Sequence, residues 1–146
     1  MKIAFISNSD HKGGADLSAK KIFNLLDQKK IQKYFFVRFS ISKNKKIIKV
    51  GNNFVNKLRS ILFIPFKKLI NEKDFSLNIL PSFFFTKKQR NKFDIFNFNW
   101  LGSETISLNE IKKINKPLVF TLHDQWLFCG GEHYFNYLKK KRNFFL

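Results

Sequence analysis

The chain is short of the residues that build covalent or metal-held folds. A single cysteine, Cys129, excludes an internal disulfide and any cysteine-based zinc cluster, and it fits a reducing compartment. Acidic residues are scarce: 10 Asp and Glu stand against 28 Lys and Arg, giving a net charge of +18. Long apolar runs are missing too. The N-terminal run Ile3–Ile6 gives way at once to Ser-Asn-Ser-Asp, too short for a signal peptide. The run Ile61–Phe66 contains Pro65 and is flanked by Arg59 and Lys67-Lys68, well below the roughly 20 apolar residues that a spanning helix needs. Only two glycines stand together near the N-terminus, Gly13 and Gly14, so neither the dinucleotide fingerprint nor a phosphate-binding P-loop is matched.

Phenylalanine is abundant, with 20 in 146 residues, and Lys, Asn and Ile are heavily used. The length allows one domain with its own core. Two readings of the charge stay open: attraction to nucleic acid, anionic lipid or a phosphorylated substrate, or compositional drift on a solvated surface.

The chain reads as alternating strands and helices. Lys2–Ser7 is apolar on both faces, as in a strand of a parallel sheet. A turn-rich loop, Asn8–Ala15, then leads to a helix from Asp16 to about Lys29, with Leu17, Ile22, Leu25 and Leu26 on its apolar side. Tyr34–Ser40 is a second strand, with a short one at Ile47–Val50. Asn52–Asn71 places Val55, Leu58, Leu62, Phe66 and Leu69 at helical spacing, with a break near Pro65 and a basic exposed side. Such a helix either lies on an anionic membrane or is simply solvated. Phe83–Lys92 includes a short helix, and Phe93–Trp100 alternates as a strand. Ser107 caps a helix to Asn115, with Glu110 completing a capping box. The run Leu118–Leu122 then forms a buried strand. The fold class is α/β, a Rossmann-like, mostly parallel sheet flanked by helices, with right-handed crossovers.

Candidate chemistry gathers where strands end. Gly13 and Gly14 lie between a strand and a helix N-terminus, a place that favours phosphate and equally serves as a plain turn. His123 follows the last strand directly, with Asp124 beside it and Trp126 two residues on. A histidine there donates to a carbonyl or phosphate oxygen, acts as a base, or is structural. Asp124 orients it or serves separately. Trp100, Trp126 and Tyr134 stack on a sugar or fill core. His123, His133 and Asp124 lack a sensible third ligand, so no metal site is expected. No Ser-His-Asp arrangement is readable.

Several stretches together carry a resemblance. They are Met1–Asp10 with Gly13-Gly14-Ala15, Phe75–Ser82, Asp94–Leu101, and Lys116–Phe128 with its Thr-Leu-His-Asp-x-Trp core, followed by Gly-Gly and His-Tyr. In order and spacing they resemble the N-terminal lobe of family-4 glycosyltransferases of the two-lobed GT-B fold, in the bacterial branch that builds surface polysaccharides such as capsule or lipopolysaccharide. The resemblance covers residues 1–134; the basic tail 135–146 does not match. It implies a cytoplasmic, retaining enzyme that moves a sugar from a nucleotide sugar to a glycan or lipid-linked acceptor, with a peripheral place at the inner face of the membrane. No metal or other cofactor is implied, and no specific nucleic-acid partner. Carried over by position, Gly13 and Gly14 lie near the donor diphosphate and His123 lies beside the transferred sugar; His123 and Asp124 are the catalytic candidates, and Trp100 and Trp126 join the glycines as substrate-binding ones.

The sequence departs from the family at Asn99, where a histidine is usual, at Leu127, where proline is usual, and at Cys129 and Glu132 around the double glycine. On this reading the lobe is truncated, the donor-binding lobe is lacking, and the chain alone is inactive. An exposed sheet edge and poor solubility are expected. The rival reading is a basic, non-enzymatic module that binds anionic membrane or nucleic acid.

Overall fold

A computed structural model describes residues 1–26, 30–51, 53–65 and 75–133. Five strands form one parallel sheet: β1 (Lys2–Ser9), β2 (Gln32–Phe39), β3 (Ile47–Lys49), β4 (Ile95–Phe98) and β5 (Leu118–Phe120), in the order β3-β2-β1-β4-β5. The helices that lie wholly within the described residues are α1 (Gly13–Leu25), α2 (Asn53–Leu62), α3 (Lys87–Lys92) and α4 (Leu108–Lys112). The architecture is the expected Rossmann-like α/β sheet. Among the described residues no helix is long and apolar enough to cross a membrane.

Successive side chains of a strand point to opposite faces, so the central strand β1 feeds two cores. Ala4 and Ile6 join Phe36, Phe96 and Phe98 on one face, covered by Phe84, Phe85, Phe93, Ile106, Ile111 and Ile114. Ile3 and Phe5 join Phe35, Val37 and Ile47 on the other, covered by Ala19 and Phe23 of α1. The phenylalanine excess has a use here. Phe85 meets Phe36 and Phe96 edge-on, with ring centroids 5.0 and 5.4 Å apart, and Phe93 meets Phe36 and Phe96 in the same way at 5.4 and 5.8 Å. Edge-to-face contacts place the positive ring edge on the negative face of the neighbour.

Several expectations need correction. The helix α1 begins at Gly13 rather than Asp16, because Ser9 Oγ accepts the backbone N–H groups of His11 and Lys12, which tightens the turn. Its buried face is Asp16, Ala19 and Phe23, one turn apart, while Leu17, Ile22 and Leu25 face water. Phe23 decides this face by packing against Phe5 and Phe35, with centroids 5.6 and 5.4 Å away. In α2 the burial is likewise reversed: Leu58 and Leu62 are exposed, and Asn56 and Arg59 are buried. The helix ends at Leu62, close to the expected break at Pro65. Phe66, Leu69 and the tail 135–146 lie outside the described residues.

At α4, Ser107 Oγ accepts the Glu110 N–H at 3.2 Å as expected. The Glu110 carboxylate does not close a capping box. It turns to the backbone N–H groups of Phe84 and Phe85, at 2.7 and 3.3 Å. A full capping box occurs instead at Thr86 and Gln89, opening α3. The last strand β5 is not buried: Leu118 and Val119 are exposed, because it is the sheet edge and pairs with β4 alone among the described strands.

Candidate functional site

The strand order reverses between β1 and β4: from β1 the chain builds outward through β2 and β3, and then through β4 and β5 on the other side. Loops leaving the carboxyl ends of strands diverge at such a point and open a crevice. Gly13, Gly14, Trp100, His123, Asp124 and Trp126 all belong to a loop or helix start that follows a strand at this edge, and Tyr134 lies outside the described residues.

At the carboxyl end of β1 the backbone runs through buried Ser9 and on to buried Asp10. Asp10 Oδ1 accepts the Ile41 N–H at 3.2 Å and lies 3.0 Å from His11 Nδ1, and its other oxygen is 3.7 Å from Lys20 Nζ. Burial pushes the Asp10 carboxyl up, but these partners outweigh it and hold the group below its ordinary value. Asp16, in the first turn of α1, accepts the Ser7 hydroxyl at 2.5 Å. Its burial dominates, and its pKa rises from 3.8 to about 6.

Gly13 and Gly14 are exposed in the first turn of α1. Gly13 needs glycine for its φ of +64°, whereas a Cβ at Gly14 meets nothing within 4 Å. The N-cap residue, Lys12, makes no side-chain cap, which leaves the first-turn N–H groups without a side-chain acceptor at the cap.

Beyond β4 and β5 a second cluster forms around Ser76. His133 Nε2 lies 3.0 Å from Ser76 Oγ, and His133 Nδ1 lies 2.5 Å from Asp124 Oδ2. Trp126 donates its indole N–H to the Ser76 carbonyl at 2.6 Å and its backbone N–H to Asp124 Oδ1 at 3.1 Å. The Trp100 ring packs against the His133 ring with centroids 5.7 Å apart. A Ser-His-Asp chain therefore does exist, although none was expected. Its serine is only 1% exposed, and Ser76 Oγ already accepts the Ser103 N–H at 2.9 Å. A nucleophile must reach its substrate, so this chain acts as a clasp that fastens residues 123–133 to the segment at Phe75–Ser76. The clasp is reinforced by the Ser76 N–H, which donates to the Gly131 carbonyl at 2.9 Å.

Beneath the switch point, buried Arg38 of β2 donates to the Thr105 carbonyl and to Asn56 Oδ1. The Thr105 hydroxyl approaches Asn8 Oδ1 at 3.1 Å. These bonds fix the loop between β4 and α4 against the ends of β1 and β2.

The clasp divides the predicted site residues. Asp124 and Trp126 have their polar atoms engaged, and Trp100 is held by ring packing. Asp124 acts on His123 through charge, its carboxylate being hydrogen-bonded to His133 instead. His123, half-buried three residues beyond β5, has a buried Nε2 that finds no hydrogen-bond partner among the described residues. Burial lowers its pKa and Asp124 partly opposes that, so the neutral imidazole is favoured. Gly13 and Gly14 take no part in the clasp.

Sequence reading missed His133 and Ser76 as partners, since 57 residues separate them and no local pattern links them. A cavity of about 310 Å³ lies elsewhere, lined by Ser82, Phe83, Thr86, Arg90, Glu110 and Lys113 among others, and none of the predicted site residues borders it. Among the described residues no three His, Cys, Asp or Glu side chains gather as a metal site would require. Comparison with family models, with curated proteins and with solved structures finds no match to the chain.

Proposed function

We propose that the chain is the acceptor-side lobe of a retaining glycosyltransferase that uses a nucleotide sugar and a glycan or lipid-linked acceptor in surface-polysaccharide assembly. The observation that carries this reading is His123, just past the carboxyl end of β5: its imidazole favours the neutral form, and its buried Nε2 has no hydrogen-bond partner among the described residues, an unpaired polar atom that a ligand entering at this edge would satisfy. A neutral imidazole can accept from or donate to a sugar hydroxyl without carrying a charge into the cleft. The clasp around Ser76 supports the reading because it holds the backbone next to His123 still, as positioning of a reacting sugar requires. The uncapped start of α1 at Gly13-Gly14 faces the same edge and suits a donor diphosphate.

In this scheme the donor is held between two lobes, and residues 1–133 form a wall of the cleft between them. The Phe-Thr-Leu-His-Asp-Gln-Trp sequence at residues 120–126, with its resemblance to the family-4 enzymes, names the chemistry that the geometry alone leaves open.

The test is acceptor binding by the purified chain, with sugar transfer followed in parallel. His123→Ala should weaken binding of a lipid-linked or oligosaccharide acceptor by about tenfold, the loss of one good polar contact, with an unchanged melt. Acceptor binding indifferent to His123→Ala, or sugar transfer that is detected and indifferent to it, would overturn the site.

A further inference from the structure

The helix α2 is turned inside out. Among its described side chains the buried ones are polar: the Asn56 amide donates to the Val50 carbonyl at 3.2 Å, and Arg59 Nη2 donates to the Leu80 carbonyl at 2.8 Å. Glu104 and Glu110 add their charge to the hold on Arg59. These anchors fix the helix about its axis. The opposite side then presents Phe54 (74% exposed), Leu58, Ile61 (49%) and Leu62 to solvent. At 3.6 residues per turn, positions 54, 58, 61 and 62 fall on one arc of the helix. No described element packs on it.

The surroundings say what covers this stripe. Lys57 stands on the same exposed side, and the segment entering α2 carries exposed Lys43, Lys45, Lys46 and Lys49. The sequence continues to Lys67-Lys68, and the whole chain carries +18. A second copy of the chain would bring +18 against +18. A nucleic acid would meet the lysines but leave the apolar arc in water. An anionic bilayer satisfies both, with phosphates for the lysines and acyl chains beneath them for the apolar arc.

We propose that α2 is a membrane-interface helix, lying flat in the headgroup layer of an anionic bilayer with Phe54, Leu58, Ile61 and Leu62 turned toward the acyl chains. The inference rests on the orientation of α2 and stands independently of the sugar-transfer reading.

The test is co-sedimentation of the full chain with vesicles of phosphatidylcholine alone, or of equal parts phosphatidylcholine and phosphatidylglycerol. The chain should bind the anionic vesicles, more weakly as salt rises, and should bind the neutral ones far less. Phe54→Ser with Ile61→Ser should cut partitioning by about a hundredfold, taking roughly tenfold for each inserted side chain. Lys57→Glu should weaken it severalfold. Leu25→Ser, which alters an exposed apolar residue on α1, should leave it unchanged. Because all four side chains are exposed, the melts should match that of the parent. Equal binding to neutral vesicles, an equal loss with Leu25→Ser, or retained binding with the α2 variants would overturn the assignment. So would a concentration-dependent dimer in sedimentation velocity that the α2 substitutions abolish.

Discussion

Asp16 carries a charge-burial cost that a single substitution can expose. It is 3% exposed, in the first turn of α1, and its pKa rises from 3.8 to about 6 because burial disfavours the carboxylate. The Ser7 hydroxyl and the backbone near Asn8 and Ser9 stabilise the ionised form and limit the rise. The folded state therefore binds a proton more tightly than the unfolded chain. The stability gained is full below pH 3.8 and is lost as pH climbs through about 6. The gap corresponds to roughly 3 kcal/mol, of which about 2.5 kcal/mol falls between pH values of about 4 and about 8. Asp16→Asn keeps an oxygen to accept from Ser7 and removes the titration. Urea unfolding followed by tryptophan fluorescence across that range should show the variant gaining on the parent by about 2.5 kcal/mol as pH rises. Taking the difference between the two proteins cancels the opposing contributions of Asp10 and His123, both of which have lowered pKa values and lose stability as pH falls. A difference that stays flat within about 0.5 kcal/mol would refute the assignment of the cost to Asp16.

Gly131→Ala should destabilise the fold by about 2–4 kcal/mol in the same unfolding assay, combining backbone strain with overpacking. Gly131 has φ +127°, and a Cβ there would stand 2.7 Å from the Phe75 ring. Ser76→Ala should cost about 2–4 kcal/mol, because it strips a buried partner from both His133 Nε2 and the Ser103 N–H. It should also release residues 123–133 to faster amide exchange, whereas a surface serine would cost almost nothing.

The strands were the legible part of the chain. β1 and β4 announce themselves through apolar residues at alternate positions or on both faces, and they occupy the centre of the sheet, where burial matches hydrophobicity. Reading failed where polar groups find buried partners. In α2 the apolar periodicity was real but marked the outward face, because Asn56 and Arg59 reach carbonyls inside. In α1, Phe23 outweighed three aliphatic residues by filling the space between Phe5 and Phe35. The glycine pair read as loop because glycine favours turns, while Ser9 completes that turn early enough for both to enter the helix. The capping box at Thr86 and Gln89 was present in the sequence and was passed over amid the basic run around it. Of the candidate site, the edge and His123 could be read locally. The clasp could not, because it joins groups 9 and 57 residues apart through the tertiary fold.

The central claim is that the buried Nε2 of a neutral His123, without a partner among the described residues, pairs with a sugar acceptor that enters at the strand-end edge. Nitrogen-15 NMR of the histidine side chains tests it most directly, recorded at neutral pH with and without a lipid-linked or oligosaccharide acceptor. The account predicts a neutral His123 ring in the free chain and an acceptor-dependent shift at His123 Nε2, while His133 in its clasp stays fixed. A His123 signal unmoved at saturating acceptor, or one that reports a protonated ring at neutral pH, would contradict it.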